Sequence, residues 1–208
     1  MVNLWSSAEH ALDYQSHADA IPHRAEGERT LLEYLPQSTR RVLDLGSGDG
    51  RLLGLVRSAL PSVEACALDF SDEMLTRLRT RFDGDRAVTI IAHNMDEVLP
   101  SLGRFDAVVS SFAIHHLADA RKREIYAEVF ECLVSGGVFC NLEHVASPSP
   151  SLHRRFLATM GILPEDEDPS NKLAEVETQL QWLRAIGFEE VDCHWKWMEL
   201  ALLIATRP

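Results

Sequence analysis

The residues with the clearest chemical potential lie in the segment 44–50, which reads Asp-Leu-Gly-Ser-Gly-Asp-Gly. The segment directly follows a short apolar run, Arg41 to Leu45, and precedes a helical pattern that begins at Arg51. Glycines at such a turn let the backbone approach a ligand closely, and the first turn of a helix offers free N–H groups. The pattern therefore predicts a ligand-binding loop between a strand and a helix.

The spacing of these glycines differs from the G-x-G-x-x-G pattern of dinucleotide sites. Gly46 and Gly48 fit the first two positions, but Arg51 occupies the third. Asp44 also places a carboxylate before the first glycine, which suits a ligand with a positive group better than a pyrophosphate. An NAD-dependent oxidoreductase is therefore the less favoured enzyme.

A second carboxylate, Asp69, ends the next apolar run, Val63 to Phe70, 23 residues after Gly46. An acidic residue at this point can accept both hydrogen bonds of a ribose diol. The alternative is that Asp69 caps the following helix, but we expect Ser71 to fill that role as the N-cap. Together the two features predict an adenosine-containing ligand at the carboxyl ends of the strands.

Short apolar runs alternate with helical patterns along most of the chain, which is typical of βαβ units and a parallel sheet. A helix from Lys172 to Ile186, ended by Gly187, precedes two runs whose short connection predicts antiparallel pairing. We therefore expect a mostly parallel sheet with one reversed strand near its end. The predicted strands are Arg41–Leu45, Val63–Phe70, Ala87–His93, Phe105–Ser110, Val138–Glu143, Glu189–Trp195 and Glu199–Thr206.

The segment 146–171 interrupts the alternation with four prolines and an acidic run. We expect one short helix in it, near Leu152 to Met160. Loops of this length in a compact domain are often functional, so we predict a lid over a pocket, with a solvated loop as the alternative. The expected organisation is a single domain, 1–208, with an N-terminal helical cap (1–38), a cofactor-binding core (40–145), the lid-like insertion (146–171), and a C-terminal helix with a β-hairpin (172–208).

Charge and composition restrict the partners of this 208-residue chain. Its 20 basic and 32 acidic residues give a formal net charge of −12, which repels phosphate backbones. No window approaches the roughly 20 apolar residues of a membrane span, and the first residues lack a signal-peptide pattern. The four cysteines are far apart, which argues against structural zinc. We expect a cytoplasmic protein with no metal, nucleic-acid or membrane partner.

In combination, these motifs resemble those of the small, single-domain class I S-adenosylmethionine-dependent methyltransferases, from about residue 40 to the end of the chain. The resemblance implies an α/β fold: a doubly wound, seven-stranded, mostly parallel sheet with the last strand antiparallel and helices on both faces. It also implies S-adenosyl-L-methionine as the cofactor. The matching segments are VLDLGSGDG (42–50), ALDFSDEML (67–75), HNMDEVLP (93–100), FDAVVSSFAIHHL (105–117) and LVSGGVFCNLEH (133–144).

The resemblance implies a role for each residue near the methionine and ribose portions of that cofactor. Gly46, Ser47 and Gly48 would line the methionine portion. Asp44 would lie near its ammonium, and Asp69 would hold the ribose hydroxyls.

The same resemblance implies contacts at the adenine and at the far end of the amino acid portion. Phe70 and Met74 would pack on the adenine, with Met95 also near the cofactor. Asn94 stands where the family usually has Asp; its amide oxygen can still bond the adenine amino group, with Asp96 as the substitute. Main-chain carbonyls of Ser110 and Ser111 would face the amino acid portion.

Methyl transfer from a sulfonium is a direct displacement, so positioning and exclusion of water supply much of the acceleration. A general base is needed only when the acceptor loses a proton. His115, Glu143 and His144 follow predicted strands at the ligand edge and are the candidate catalytic residues, with packing roles as the alternative. Tyr14 and Arg24, in the predicted N-terminal helices, are candidate substrate contacts together with His115.

The sequence therefore predicts an S-adenosylmethionine-dependent methyltransferase that acts on a small molecule. Nitrogen, oxygen, sulfur and carbon acceptors share such a fold, so the acceptor atom stays open, as does the oligomeric state. The alternatives are a non-catalytic module that binds the same cofactor, the oxidoreductase considered above, and a methyltransferase acting on protein or tRNA.

Overall fold

Seven strands of the computed structural model, which describes residues 21–208, form one sheet. The strands are β1 (Arg41–Leu45), β2 (Glu64–Asp69), β3 (Val88–Ala92), β4 (Phe105–Ser111), β5 (Leu133–His144), β6 (Glu189–Trp197) and β7 (Leu200–Thr206). Their order in the sheet is β3-β2-β1-β4-β5-β7-β6. The pairs from β3 to β5 are parallel, whereas β7 is antiparallel to both β5 and β6. The predicted mostly parallel sheet with its last strand reversed is confirmed.

Helices cover both faces of this sheet within the described residues, as predicted. They are α1 (Arg24–Glu33), α2 (Arg51–Ala59), α3 (Asp72–Arg81), α4 (Asp119–Cys132), α5 (Pro150–Met160) and α6 (Val176–Ile186). Because successive strand residues point to opposite faces, β1 contributes Val42 to one core and Leu43 to the other. The first core contains residues of α1, α2, α3 and α5, and the second contains residues of α4 and α6.

The boundaries of several elements differ from those predicted. Strand β5 begins at Leu133, directly after α4, and not at Val138, because Leu133 already pairs with Phe105 of β4. Helix α6 begins at Val176 and not at Lys172. Gly187 ends α6 with a φ of 116°, a left-handed conformation that glycine adopts without steric penalty. Every described helix is too short or too polar to span a bilayer.

An ion cluster centred on Glu28 joins α1 to the first residue of α2. The Glu28 carboxylate, nearly fully buried, accepts hydrogen bonds from Arg24 at 2.9 Å and from Arg51 at 2.8 and 3.0 Å. Arg51 is the first residue of α2, so this cluster holds α1 against the helix that follows the glycine turn.

We expect Glu28→Gln to lower the free energy of unfolding by about 3 kcal/mol, because it leaves two arginine charges without their shared carboxylate. Glu26→Gln is the matched control, since Glu26 lies on the same helix in an exposed pair with His23 and should cost at most about 1 kcal/mol. Urea unfolding followed by circular dichroism measures both, and equal losses would contradict the structural importance of the buried cluster.

Candidate functional site

The glycine turn after β1 combines tight packing with one open face. Gly46, Gly48 and Gly50 all have positive φ, at 67°, 55° and 83°. A Cβ at Gly46 would lie 2.3 Å from the Cβ of Ala113, so the loop after β4 leaves no room for a side chain there. At Gly48 no atom of residues 21–208 lies within 4 Å of the corresponding position. The turn is therefore tightly packed at Gly46 and has space beside the half-buried Gly48.

Asp44 supplies a buried carboxylate at this turn. It lies in β1 at the centre of the sheet, is 0% exposed, and neither of its carboxylate oxygens has a hydrogen-bond partner among the described residues. Burial raises the pKa of Asp44 to about 7; the nearby Ser47 hydroxyl, which donates to the main-chain carbonyl of Asp44 and not to its carboxylate, opposes the rise, and the negative charge of Asp69 adds to it. Buried polar groups are nearly always hydrogen-bonded, so an unpartnered carboxylate fits a ligand that carries a cationic donor.

Asp69, at the end of β2, faces the same turn. Its Oδ2 accepts the Gly48 N–H at 2.8 Å, and its Oδ1 accepts the Ser71 N–H at 2.9 Å. An ionised carboxylate has about four acceptor positions, so two stay available for a diol. The capping prediction for Ser71 is wrong in one respect: Ser71 precedes α3, but its side chain accepts no helix N–H, and the Asp69 carboxylate binds the backbone there.

The predicted adenine-side residues surround the start of α3 and the loop after β3. Met74 is buried in α3, and Phe70 is half-buried just before it. The Met95 side chain lies beside Gly46, with its Cε 3.2 Å from the position of a Cβ there. Asn94 Oδ1 accepts the N–H of Asp96, which is exposed.

The end of β4 brings further predicted residues to this edge. Ser110 Oγ donates to the Leu45 carbonyl at 2.8 Å, which ties β4 to the end of β1. Ser111 Oγ is buried without a partner among the described residues. The next residue, Phe112, has a φ of 52°, which is rare for a non-glycine and is often found at functional sites. The Arg24 guanidinium lies 5.3 Å from the centroid of the Phe112 ring.

His115 and Glu143 form a buried pair at the ends of β4 and β5. His115 Nδ1 lies 2.6 Å from Glu143 Oε1, and both residues are buried. Burial raises the pKa of Glu143 to about 7. Burial, with the nearby charges of His144 and Lys122, lowers the pKa of His115 well below its ordinary value. The imidazole is therefore neutral at physiological pH.

His144 contacts the His115–Glu143 pair but also belongs to a second carboxylate. Its backbone N–H donates to Glu143 Oε1 at 2.9 Å, and its ring centroid lies 5.6 Å from that of His115. Its Nε2 lies 3.1 Å from Oε2 of the buried Glu199, which also binds Ser147. The structure thus brings the three predicted catalytic residues together, with His144 anchored between two carboxylates.

His115, His116 and His144 form a cluster of neighbouring rings, the histidine cluster. The insertion 146–171 has hydrogen bonds near both of its ends to this cluster or to Glu199 beside it. On one side, His153 of α5 hydrogen-bonds Glu199 at 3.0 Å. On the other, Ser170 Oγ lies 2.9 Å from His116 Nδ1, and the Lys172 N–H donates to the His115 carbonyl at 3.0 Å. The remaining candidate, Tyr14, lies outside the described residues.

Sequence reasoning did not identify the polar residues behind Glu143. Asn141 Nδ2 lies 3.4 Å from Glu143 Oε2 and 3.3 Å from the Tyr126 hydroxyl, which lies 2.6 Å from Gln179 Oε1. All four residues are buried. Asn141 had a usable signal, because it interrupts an otherwise apolar strand, whereas Tyr126 and Gln179 fit ordinary amphipathic helices.

Comparison with known proteins identifies relatives of this arrangement. A family model described as a methyltransferase domain matches residues 42–137. An uncharacterized methyltransferase of Mycobacterium tuberculosis is 40% identical over 87 residues, which are 42% of this chain and 43% of the relative. The demethylmenaquinone methyltransferase of Clavibacter sepedonicus is 28% identical over 172 residues, covering 76% of this chain and 69% of that protein. The match thus spans less than half the length of the mycobacterial relative.

Solved structures share the fold at low sequence identity. An O-methyltransferase family protein from Burkholderia thailandensis has a TM-score of 0.77 at 18% identity, over 98% of this chain and 61% of that one. Human N-acetylserotonin methyltransferase, solved in complex with S-adenosylmethionine, has a TM-score of 0.72 at 15% identity, over 98% of this chain and 57% of that one. With the strand order, these likenesses show that the chain has the fold of the S-adenosylmethionine-dependent methyltransferases, and its residues 42–137 match a methyltransferase domain.

Proposed function

We propose that the protein transfers the methyl group of S-adenosylmethionine to a small-molecule acceptor by direct displacement. The observation that carries the proposal is the buried, unpartnered carboxylate of Asp44 beside the open backbone of Gly48. S-adenosylmethionine is the cofactor of the family, and when bound it would supply an electrophilic methyl group on a sulfonium. Its ammonium is a cationic donor that would satisfy the buried Asp44 carboxylate.

The other cofactor contacts follow the edge of the sheet. Asp69 would accept the ribose hydroxyls, while its existing bond to the Gly48 N–H keeps the turn in place. Ser47, beside the turn, and the backbone of Ser110 and Ser111 would flank the amino acid portion. The adenine would be held by Phe70, Met74, Met95 and the amide of Asn94.

His115 would act as the general base for an acceptor that loses a proton. When Glu143 is ionised, its Oε1 accepts a proton-bearing Nδ1, which leaves the lone pair on Nε2. Nε2 has no hydrogen bond to the described residues, so it is available to an acceptor. The proton of a hydroxyl, amine or thiol would move to Nε2 as its heteroatom bonds to the methyl carbon. Glu143 would orient the base and stabilise the imidazolium that forms.

The acceptor would lie between this base and the N-terminal part of the chain. Arg24, buried against Phe112, is the candidate acceptor contact on α1. The insertion 146–171 would act as a lid, because its attachments to Glu199 and His116 hold it over the histidine cluster. A small acceptor fits the net charge of −12 better than a nucleic acid. A relative named as a demethylmenaquinone methyltransferase supports the same choice. The ionisable His115–Glu143 pair favours a catalyst over a binding module.

Gly48→Ala tests whether the glycine turn, residues 46–50, binds the cofactor. We expect a stability loss of about 1 kcal/mol from the positive φ, and an affinity for S-adenosylmethionine at least about tenfold weaker because the new methyl group enters the open face. Gly84→Ala is the matched control: Gly84 has a φ of 74° and open surroundings but lies in the remote turn before β3. Calorimetric titration of both variants with S-adenosylmethionine measures the two affinities, and an equal affinity in both would contradict binding of the cofactor at the glycine turn.

Asp44→Asn tests whether the Asp44 carboxylate lowers the stability of the folded protein and at the same time binds the ligand. The pKa of Asp44 is raised from 3.8 to about 7 on folding, so the folded state retains a proton that the unfolded state has released between these values. The free energy of unfolding of the wild type therefore falls as pH rises through that window. We expect the ligand-free variant to be more stable than the wild type by about 2–4 kcal/mol at pH 8.

The same Asp44→Asn variant should bind S-adenosylmethionine more weakly by about 2 kcal/mol, or about 30-fold, through loss of the charge-assisted hydrogen bond. Thermal unfolding with and without the ligand measures both effects. A variant that is less stable without ligand, or that binds as tightly as the wild type, would refute the assignment of Asp44.

The pH profile of turnover tests the proposed base. We expect turnover to rise with pH through about 7, because protonated Glu143 would donate to Nδ1 and move the imidazole proton onto Nε2. Glu143→Gln should flatten this rise, since an amide oxygen accepts from Nδ1 without titrating. His115→Gln should lower turnover about 100-fold or more with little change in cofactor affinity.

The assay for these variants is release of S-adenosylhomocysteine with a panel of phenols, quinols, amines and thiols. An unaltered profile in Glu143→Gln, or full turnover in His115→Gln with an acceptor that must lose a proton, would exclude the pair from proton transfer.

A further inference from the structure

A buried row of hydrogen bonds runs from the proposed base to the far helix layer of the sheet. It passes from Glu143 Oε2 to Asn141, to the Tyr126 hydroxyl on α4, and to Gln179 on α6. It ends where Gln179 Nε2 donates to the Ala174 carbonyl at 3.0 Å. Polar side chains are costly to bury, and a core built only for stability would place apolar residues here.

The Ala174 carbonyl at the end of the row determines which group donates and which accepts in each of its hydrogen bonds. The Ala174 carbonyl can only accept, so the Gln179 amide must turn its nitrogen to Ala174 and its Oε1 to Tyr126. The Tyr126 hydroxyl must then donate its single proton to Oε1, which leaves its oxygen as an acceptor. Asn141 must therefore turn its nitrogen to Tyr126, and the same nitrogen lies next to Glu143 Oε2.

This order of donors and acceptors determines which hydrogen bonds the Glu143 carboxylate can accept. It faces the Asn141 N–H at Oε2, and the His144 N–H and His115 Nδ1 at Oε1. A carboxylate that is ionised can accept from all three groups, whereas a protonated one would need an acceptor in place of a donor. Protonated Glu143 could still donate from Oε1 to a deprotonated His115 Nδ1, but the Asn141 N–H binds an ionised Oε2 more strongly, so the row favours ionised Glu143. Ionised Glu143 retains the proton of His115 on Nδ1.

We propose that Tyr126 and Gln179 are positioning residues that set the tautomer of His115, through Asn141 and Glu143. The inference rests on the proposed role of His115 as base. The groups that face His115 are His116 beside it, Glu143 and His144 of β5, Lys122 of α4 and Asp168 of the insertion. Within residues 21–208, Glu143 is the residue that binds its Nδ1, so a change transmitted through Asn141 reaches the ring at that contact.

Tyr126→Phe removes the hydroxyl and little else, so the Asn141 amide loses one of the two contacts that hold its N–H against Glu143 Oε2. A more weakly held donor at Oε2 then favours protonated Glu143. Gln179→Leu acts at the other end, where it removes the acceptor that directs the Tyr126 proton. We expect both variants to raise, by about one pH unit, the pH at which the His115 proton moves between Nδ1 and Nε2.

Nitrogen-15 NMR of histidine-labelled, full-length protein measures this midpoint without any acceptor, because the two ring nitrogens differ in shift when only one is protonated. His115→Gln identifies the resonances among the nine histidines. Cys140→Ala is the matched control: Cys140 adjoins Asn141 on β5 and is fully buried, but it belongs to the opposite core. It should lower the melting temperature and leave the midpoint unchanged.

An unchanged midpoint in the variants that fold, or a wild-type His115 that carries its proton on Nε2 above pH 8, overturns the inference. The pH profile of turnover should move with the midpoint, while affinity for S-adenosylmethionine stays within twofold. The two hypotheses fail separately. If the midpoint shifts in the Tyr126 and Gln179 variants but His115→Gln keeps full turnover, His115 is not the base, although the row still sets its tautomer. If the midpoint does not shift but His115→Gln loses turnover, His115 is the base and the row does not set its tautomer.

Discussion

A single unpartnered carboxylate at the centre of the sheet imposes the main constraint on this structure. Asp44 lies in β1, between β2 and β4, where neither water nor a side chain of the described residues reaches its oxygens. The surrounding cores must therefore contribute enough stability to hold a group that folding disfavours. A cationic ligand converts that cost into affinity, because the desolvation has already occurred before the ligand arrives.

The same sheet edge holds three carboxylates, the buried Asp44 and Glu143 and the half-buried Asp69, whose different partners give them different chemistry. The Asp44 carboxylate has no hydrogen-bond partner within residues 21–208, so it is suited to a cationic ligand. Asp69 accepts two backbone N–H groups and has acceptor positions left for hydroxyls. Glu143 is paired with His115 and receives side-chain and backbone donors, which suits it to control a proton. Parallel strands bring these residues to one edge because their carboxyl ends coincide.

Local patterns were sufficient to predict the fold and the glycine turn, because strand alternation and the Gly46–Gly50 spacing are properties of contiguous residues. The positions of the helix-borne polar residues could not be predicted in this way. Tyr126 and Gln179 meet only because α4 and α6 pack side by side on one face of the sheet, 53 residues apart along the chain. Ser71 lies at the N-cap of α3 as predicted, but its side chain accepts no helix N–H, and its own N–H donates to Asp69, a residue with another predicted role.

The insertion and the row of hydrogen bonds behind Glu143 meet at one backbone carbonyl, that of Ala174. The Ala174 carbonyl, just after the insertion, accepts both the Gln179 amide and the Ala146 N–H, which lies at the first residue of the insertion. A displacement of either end of the insertion therefore perturbs the acceptor that orients the row behind Glu143. Since Lys172 also donates to the His115 carbonyl, the backbone of the base and its tautomer depend on the same few residues. An ordered insertion and a competent base are thus parts of one arrangement.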